Sequence, residues 1–308
     1  MLHSGIKNPE TMVLEKAGWA KSLPVSINEK EFSLFSDYVA RQSGIIIPVE
    51  KSYIFETRLS KYLVSAGVNS FEELYDFIIN KNDPLLNQSI INSVTTNETK
   101  WFRDETPWKV LEENMLPGFV GDLLSGKKTR IRIWSAAAST GQEIYSTVMC
   151  VDNYLKRNNI KDVTLKQFEF FATDISSRVL EIAKKGRYDR ISIKRGLSEQ
   201  YKAKYFTGDG LAWNINPEIR SSVQFAHFNL MNSYEEFGMF DIIFCRYVLI
   251  YFSDALKSEI AGKMYDSLND KGVLFTGNYA LYDLFRDNFK SDHYGNLTYY
   301  IKKKRGEK

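Results

Sequence analysis

The apolar positions of this chain keep one period in its first part and another afterwards. Between residues 26 and 92 they recur at helical spacing. Ser26-Ile27-Asn28-Glu29 has the form of a capping box, with Ser26 as N-cap and Glu29 three residues on. Phe32, Phe35 and Val39 follow at helical spacing, and Gly44 stands where the helix would end. After Pro48 the spacing predicts a second helix with Phe55, Leu59, Tyr62, Leu63 and Ala66 on one face, stopped by Gly67. Ser70 to Glu73 opens a third helix. Asp83-Pro84, acid at N-cap and proline at N1, opens a fourth. No strand pattern intervenes, so residues 26–92 read as an all-helical domain. Residues 1–25 show no sustained period and read as a flexible arm.

The pattern changes after Arg130. Ile131–Ser135 is a short strand candidate, followed by a glycine-bearing turn and a helix from about Gly141 to Lys156. Phe168–Thr173 is a second, nearly all-apolar strand ended by Asp174, and Ser176 can cap a helix that stops at Gly186. Val223–Phe228 and Phe240–Cys245 are further strands. Ser253 can cap a helix reaching Leu268, and Gly272–Thr276 carries a fifth strand. Strands that alternate with helices and are apolar throughout imply an α/β fold with a parallel sheet covered on both faces. Residues 188–222 break the alternation and read as an insertion. Residues 93–129 read as a linker, 130–302 as the α/β domain and 303–308 as a basic tail.

Composition narrows the class. Two cysteines, Cys150 and Cys245, exclude a disulfide framework and a four-cysteine zinc site. His3, His227 and His293 form no ligand constellation, so no metal is expected. No run approaches about 18 apolar residues, so no membrane insertion is expected. MLHSGIKNPE lacks the apolar core of a signal peptide, which points to the cytoplasm. The net charge of +3 is uneven: residues 302–308 carry +4, leaving −1 on the rest. The chain is therefore not a nucleic-acid coat, and the tail reads as a solvated, frayed end. An internal basic cluster remains: Lys184, Lys185, Arg187, Arg190, Lys194 and Arg195, interrupted by Asp189 alone.

In an open α/β sheet, ligands bind beyond the carboxyl ends of the strands. Beyond the first strand come Ser135-Ala136-Ala137-Ala138-Ser139-Thr140-Gly141, small residues that let backbone approach a ligand closely. Asp174 ends the second strand and could accept from a ribose diol. Its competing role is to cap the next helix, for which Ser176 is the rival. Asn229 after the third strand could read a base edge, and Arg246 follows the fourth. The dinucleotide fingerprint G-x-G-x-x-G and the phosphate loop G-x-x-x-x-G-K-[ST] are both absent. A nucleoside without a pyrophosphate fits better, S-adenosylmethionine being the common one.

Four stretches in register resemble the motifs of the chemotaxis receptor methyltransferase family, CheR. They are Thr95-Thr96-Asn97-Glu98-Thr99-Lys100-Trp101-Phe102-Arg103, Arg132-Ile133-Trp134-Ser135 through Gly141-Gln142-Glu143, Ala172-Thr173-Asp174-Ile175, and Phe244-Cys245-Arg246-Tyr247-Val248-Leu249-Ile250-Tyr251-Phe252. The resemblance runs from about residue 28 to 302. It implies a class I S-adenosylmethionine-dependent methyltransferase (Rossmann-like) domain carrying a small inserted antiparallel β-subdomain and preceded by an all-helical N-terminal domain. It implies methyl transfer from S-adenosyl-L-methionine, leaving S-adenosyl-L-homocysteine, to glutamates on the cytoplasmic region of methyl-accepting chemotaxis receptors. Carried over position by position, the cofactor contacts implied are Asn97, Thr99, Arg103, Glu143, Asp174, Asn229, Leu230, Cys245 and Arg246. Arg103 and Tyr251 are expected to hold the acceptor carboxylate, which is ionised at neutral pH and needs no base.

Plainer roles compete. Glu143 could be a first-turn acid favoured by the helix dipole. Arg246 and Tyr251 could be hydrogen-bonders at a strand end, and the cysteines small buried apolar groups. The chain also departs from the family pattern: Tyr247 stands where Asn is usual, Ile144 where Pro is, Gln142 where Glu is common, and Gly277-Asn278-Tyr279-Ala280 where Gly-His-Ser-Glu is. In some members the β-subdomain docks a tethering peptide at the receptor's C-terminus, and the basic cluster lies just before and within that region. Arg41, Lys51, Arg58 and Lys61 could meet acidic receptor helices or be a solvated helix face. A monomer is expected. The competing functions are an S-adenosylmethionine-binding signalling adaptor without turnover, and a related methyltransferase with another substrate.

Overall fold

The computed structural model describes residues 25–277 and 288–304. The expected arm up to residue 24, the departure at Asn278-Tyr279-Ala280 and the tail from residue 305 lie outside the described residues. The chain divides into two units, Met1–Thr95 and Thr96–Lys308.

The first unit is helical: α1 Glu29–Ser43, α2 Tyr53–Ala66, α3 Phe71–Lys81 and α4 Pro84–Val94. Gly44 and Gly67 close α1 and α2 in the left-handed conformation. Asp83 caps α4 through the amides of Leu85 and Leu86. The α1 cap differs from the sequence reading. Asn28, not Ser26, is the N-cap, and it exchanges capping-box bonds of 3.0 Å each way with Glu31. Both spacings fit a box. The later one also lets the second Glu31 oxygen accept from the Glu72 amide at the start of α3, which sequence spacing does not show. Phe35 packs between Phe55 and Phe71 at centroid distances of 5.7 and 5.9 Å. Arg58, a candidate docking charge, is turned inward: its guanidinium donates to the carbonyls of Ser93, Val94 and Thr95 that α4 leaves open.

The second unit opens with helices where a linker was expected, α5 Thr106–Val110 and α6 Leu116–Leu124, joined by a π-helical turn over Leu111–Met115. Trp108, Val110, Leu111, Leu116 and Val120 are buried, so this segment's own apolar positions draw it into the core. Pro117 cannot continue the amide ladder of the preceding helix, and the π turn falls just before it. Then come β1 Ile131–Ser135, α7 Gln142–Arg157, β2 Phe168–Asp174 and α8 Ser177–Lys185. The inserted region holds β3 Arg187–Tyr188, α9 Arg190–Lys194, α10 Glu199–Tyr205, β4 Phe206–Gly208, β5 Trp213–Ile215 and α11 Pro217–Ser221. It is followed by β6 Val223–His227, β7 Phe240–Phe244, α12 Asp254–Asp266, β8 Leu268–Phe275, β9 Phe289–Tyr294 and β10 Leu297–Lys302.

The main sheet has the order β6-β2-β1-β7-β8-β10-β9. The first five strands are parallel, and β10 runs antiparallel to both β8 and β9. This is the expected Rossmann-like methyltransferase sheet. The β3-β5-β4 ribbon is the expected small antiparallel sheet within it. The β9–β10 hairpin was not predicted, although Gly295-Asn296 between two apolar stretches is a two-residue turn signal. The chain winds outward from β1 to β2 and β6, then returns to the other side of β1 with β7 and β8. The carboxyl ends of β1 and β7 therefore border the switch-point crevice.

Candidate active site

The small-residue loop after β1 is held by both neighbouring strands. Ala136 N donates to Phe244 O (2.7 Å) and Ala138 N to Thr173 O (2.9 Å). Ser139 turns into the left-handed region (φ +50°), which aims its amide at Asp174 Oδ2 (2.8 Å) and its hydroxyl at Asn97 O (2.9 Å). Gly141 has φ +91°, and a Cβ there would lie 2.9 Å from the Cβ of Ala183, so the loop enters α7 only through glycine.

Asp174 takes one backbone amide on each oxygen, Ser139 N on one and Ser176 N on the other, both at 2.8 Å. It thereby caps the start of α8, while the Ser176 hydroxyl is buried without a partner among the described residues. The expected rivalry between these two caps goes to Asp174, and each carboxylate oxygen keeps a lone pair for a further donor. The side chain is buried, and that burial pushes its pKa up against the pull of the two amides and of His227.

Glu143, in the first turn of α7, accepts from the Ser135 hydroxyl (2.8 Å) and from Arg246 Nη1 (3.0 Å). Arg246 follows β7 and leaves only 1% of its side chain exposed. Its Nη2 donates to Asp104 Oδ2 (2.6 Å) and to Arg103 O (2.8 Å), and its Nε is buried without a partner among the described residues. The Tyr247 hydroxyl also donates to Asp104 Oδ2. The Arg103 guanidinium lies over the Tyr247 ring, 3.7 Å from its centroid, and donates to Glu98 O (3.2 Å). Arg246 thus faces two carboxylates, and Arg103 faces none among the described residues.

The remaining predicted residues surround this set. Thr99 is half-buried in the strap of residues 97–103. Asn229 follows β6 and its Oδ1 accepts from Met231 N (3.0 Å). Leu230 is buried, and its carbonyl accepts from the Tyr234 hydroxyl (2.9 Å). Cys245 is buried, burial raises its thiol pKa, and its amide donates to Phe275 O (2.8 Å). Tyr251 is half-buried at the end of the 3-10 turn Leu249–Tyr251, and among the described residues nothing ties its hydroxyl to the arginine cluster.

The structure therefore joins Asn97, Arg103, Glu143, Asp174 and Arg246 in connected hydrogen-bond sets. It adds Asp104, Ser135, Ser139 and Tyr247, which sequence reasoning gave no role. One backbone signal groups with them: of the eight described non-glycine residues with positive φ, Phe102, Asp104, Glu105, Ser139 and Tyr247 all belong to the segments just described. Such conformations cost about 1–3 kcal/mol each and persist where the surroundings impose them.

These groups suit a nucleoside that carries an amino acid. A carboxylate with spare acceptors ends β2, and small residues line the switch point. A second carboxylate and two guanidiniums stand beside them, and the buried hydroxyls of Ser176 and Thr276, at the ends of β2 and β8, have no partner among the described residues. Comparison with known proteins agrees. Residues 97–292 match the family model described as CheR methyltransferase, SAM binding domain, and residues 30–95 match CheR methyltransferase, all-alpha domain. The chain is 37% identical over 254 residues to the chemotaxis protein methyltransferase Cher2 of Pseudomonas putida, covering 82% of this chain and 90% of that one. It is 38% identical over 258 residues to chemotaxis protein methyltransferase 1 of Pseudomonas aeruginosa, with 82% and 90% covered. It is 32% identical over 249 residues to the chemotaxis protein methyltransferase of Listeria innocua, with 81% and 89% covered. With its helical unit, its methyltransferase sheet and its S-adenosylmethionine-binding domain, this chain belongs to the CheR methyltransferase family.

Proposed function

We propose that the protein is a protein-glutamate O-methyltransferase that esterifies glutamates on the cytoplasmic region of chemotaxis receptors. The observation that carries this reading is the charge arrangement around the two arginines. Arg246 is neutralised by Asp104 and Glu143, whereas Arg103 is half-buried with no carboxylate partner among the described residues, a cation suited to an incoming carboxylate. S-adenosylmethionine supplies a methyl group on a sulfonium, and the acceptor oxygen displaces it without any proton transfer. A glutamate with a pKa near about 4.3 is already ionised at neutral pH. The chain's work is then to hold and desolvate the acceptor and to orient the methyl donor. Arg103 and Tyr251 hold the acceptor. Asp174 accepts from the ribose, Asn229 from the adenine and Glu143 from the ammonium. Asn97, Thr99, Leu230, Cys245 and Arg246 complete the pocket.

Lys185, Arg190 and Lys194 are exposed without carboxylate partners among the described residues, whereas Arg187 is paired with Asp209 and Arg195 with Glu98. The unpaired three, with exposed Ile191 and Leu211 in the same insertion, support a docking site there for a receptor's tethering peptide. No helix of the described residues is long and apolar enough to cross a membrane. The protein acts as a monomer in the cytoplasm.

Methyl-labelled cofactor incubated with a receptor cytoplasmic fragment tests the reaction. Base-labile label on the fragment is the expected result. Base-stable label assigns a different chemistry, and no label with intact S-adenosylhomocysteine binding assigns an adaptor. Arg103→Ala is expected to lower kcat/KM for the fragment roughly 10- to 100-fold, the loss of one or two charge-assisted bonds.

A further inference from the structure

The Tyr247 side chain has two contacts that the proposed reaction does not yet use. Its hydroxyl donates to the Asp104 oxygen that also receives Arg246, and its ring underlies the Arg103 guanidinium at 3.7 Å. Its backbone sits at φ +60°, a conformation a bulky residue keeps only where its surroundings hold it. Gly277 packs close enough that a Cβ there would lie 3.2 Å from the ring. The phenol is therefore fixed at its tip by Asp104 and against its ring by Gly277. Arg103, in contrast, has a single printed hydrogen bond of 3.2 Å to a carbonyl and no ion pair among the described residues. Stacking on Tyr247 is what limits where its long side chain can point, since the face of a phenol ring attracts a guanidinium.

We propose that Tyr247 is a positioning residue: its ring holds the Arg103 guanidinium in place for the acceptor carboxylate, and its hydroxyl fastens that platform to Asp104. The inference rests on the reading of Arg103 as the acceptor-binding cation. It separates the two arginines by task. Arg246, locked between two carboxylates, belongs to the scaffold of the methyl-donor site, and Arg103, stacked and otherwise uncommitted, belongs to the acceptor.

Two substitutions test it. Tyr247→Asn removes the ring and puts at φ +60° a residue that tolerates this conformation better, so the fold is not the weak point. Tyr247→Phe keeps the ring and removes the hydroxyl. For methylation of a receptor cytoplasmic fragment, Tyr247→Asn should raise the acceptor KM on the order of three- to tenfold, the size of a partly exposed cation–π contact. S-adenosylhomocysteine Kd by calorimetry should stay within about twofold, and Tyr247→Phe should keep both constants within about twofold. An unchanged KM in Tyr247→Asn, a Kd that rises as far as the KM, or equal losses in Asn and Phe would each overturn the proposal. A second readout needs no turnover. The Arg103 Nε–Hε resonance, assigned by its disappearance in Arg103→Lys, should lie upfield in the parent and in Tyr247→Phe and move downfield in Tyr247→Asn. A resonance that does not move in Tyr247→Asn overturns the ring's role. Absence of methylated receptor with that shift intact overturns instead the reading of the reaction.

Discussion

Asp174 and Arg246 carry their charges in surroundings that ordinarily oppose charge, and each yields a measurable consequence. Burial lifts the Asp174 pKa above its ordinary 3.8. A carboxyl with a raised folded pKa binds more protons in the folded than in the unfolded chain. Its share of stability is thus present at low pH and lost as pH rises through the folded value. The melting temperature of the cofactor-free parent, relative to Asp174→Asn, should fall as pH is raised from about 4 to about 7. Ligand binding should run the other way, because ribose hydroxyls donate to the ionised form. S-adenosylhomocysteine affinity should weaken as pH falls toward the raised value, and this dependence should vanish in Asp174→Asn. At Arg246, substitution by Met leaves Asp104 and Glu143 facing each other unpaired. A loss of about 3 kcal/mol in urea unfolding is expected, the low end for a buried pair because the Asp104 side chain is 24% exposed. Sequence position sufficed to mark Arg246 and Asp174, since both follow strands. Asp104 was invisible because its bond to Arg246 spans 142 residues.

At the scale of elements, the strap of residues 97–103 is placed by the inserted subdomain. Trp101 is fully buried, edge-on to Tyr188 and Phe206 at 4.8 and 5.2 Å. Its indole donates to Ser192 O and its amide to Arg195 O, both at 3.0 Å. Gly196 has φ +90°, and a Cβ there would lie 2.2 Å from Trp101 O. Gly196→Ala is therefore expected to cost at least about 2 kcal/mol and to displace the strap. Thermal unfolding should show the cost, and S-adenosylhomocysteine calorimetry a weaker Kd. An unchanged Kd would remove Asn97 and Thr99 from the pocket. Helix and strand positions were largely legible, because apolar period and caps are local. The α1 cap was misplaced by two residues, since Glu72 chose between two equally good boxes. The segment at 106–124 was read as linker because its apolar residues straddle Pro117 and a π turn, which blur the helical period.

At the scale of the molecule, charge is divided between the units. Met1–Thr95 holds 9 basic and 11 acidic residues, and Thr96–Lys308 holds 32 and 27. Exposed Lys185, Arg190 and Lys194 make the insertion a place where an acidic partner would be steered. Reversing all three to Glu should lower kcat/KM for the receptor fragment at low salt and flatten its salt dependence, with S-adenosylhomocysteine Kd unchanged. Pairing decides which charges count. Arg58 was a docking candidate by sequence and is consumed by the end of α4, and Arg187 and Arg195 are consumed by Asp209 and Glu98. The sequence by itself determined the family, the alternation of strands and helices, the small-residue loop and the polar residue after each parallel strand. These depend on neighbours within a few positions, or on motifs read in order. Only the tertiary structure decided which caps win, which basic residues stay unpaired, and that Asp104 and Tyr247 join the arginines. Those outcomes depend on side chains more than a hundred residues apart meeting at the ends of β1 and β7, and no local pattern records that meeting.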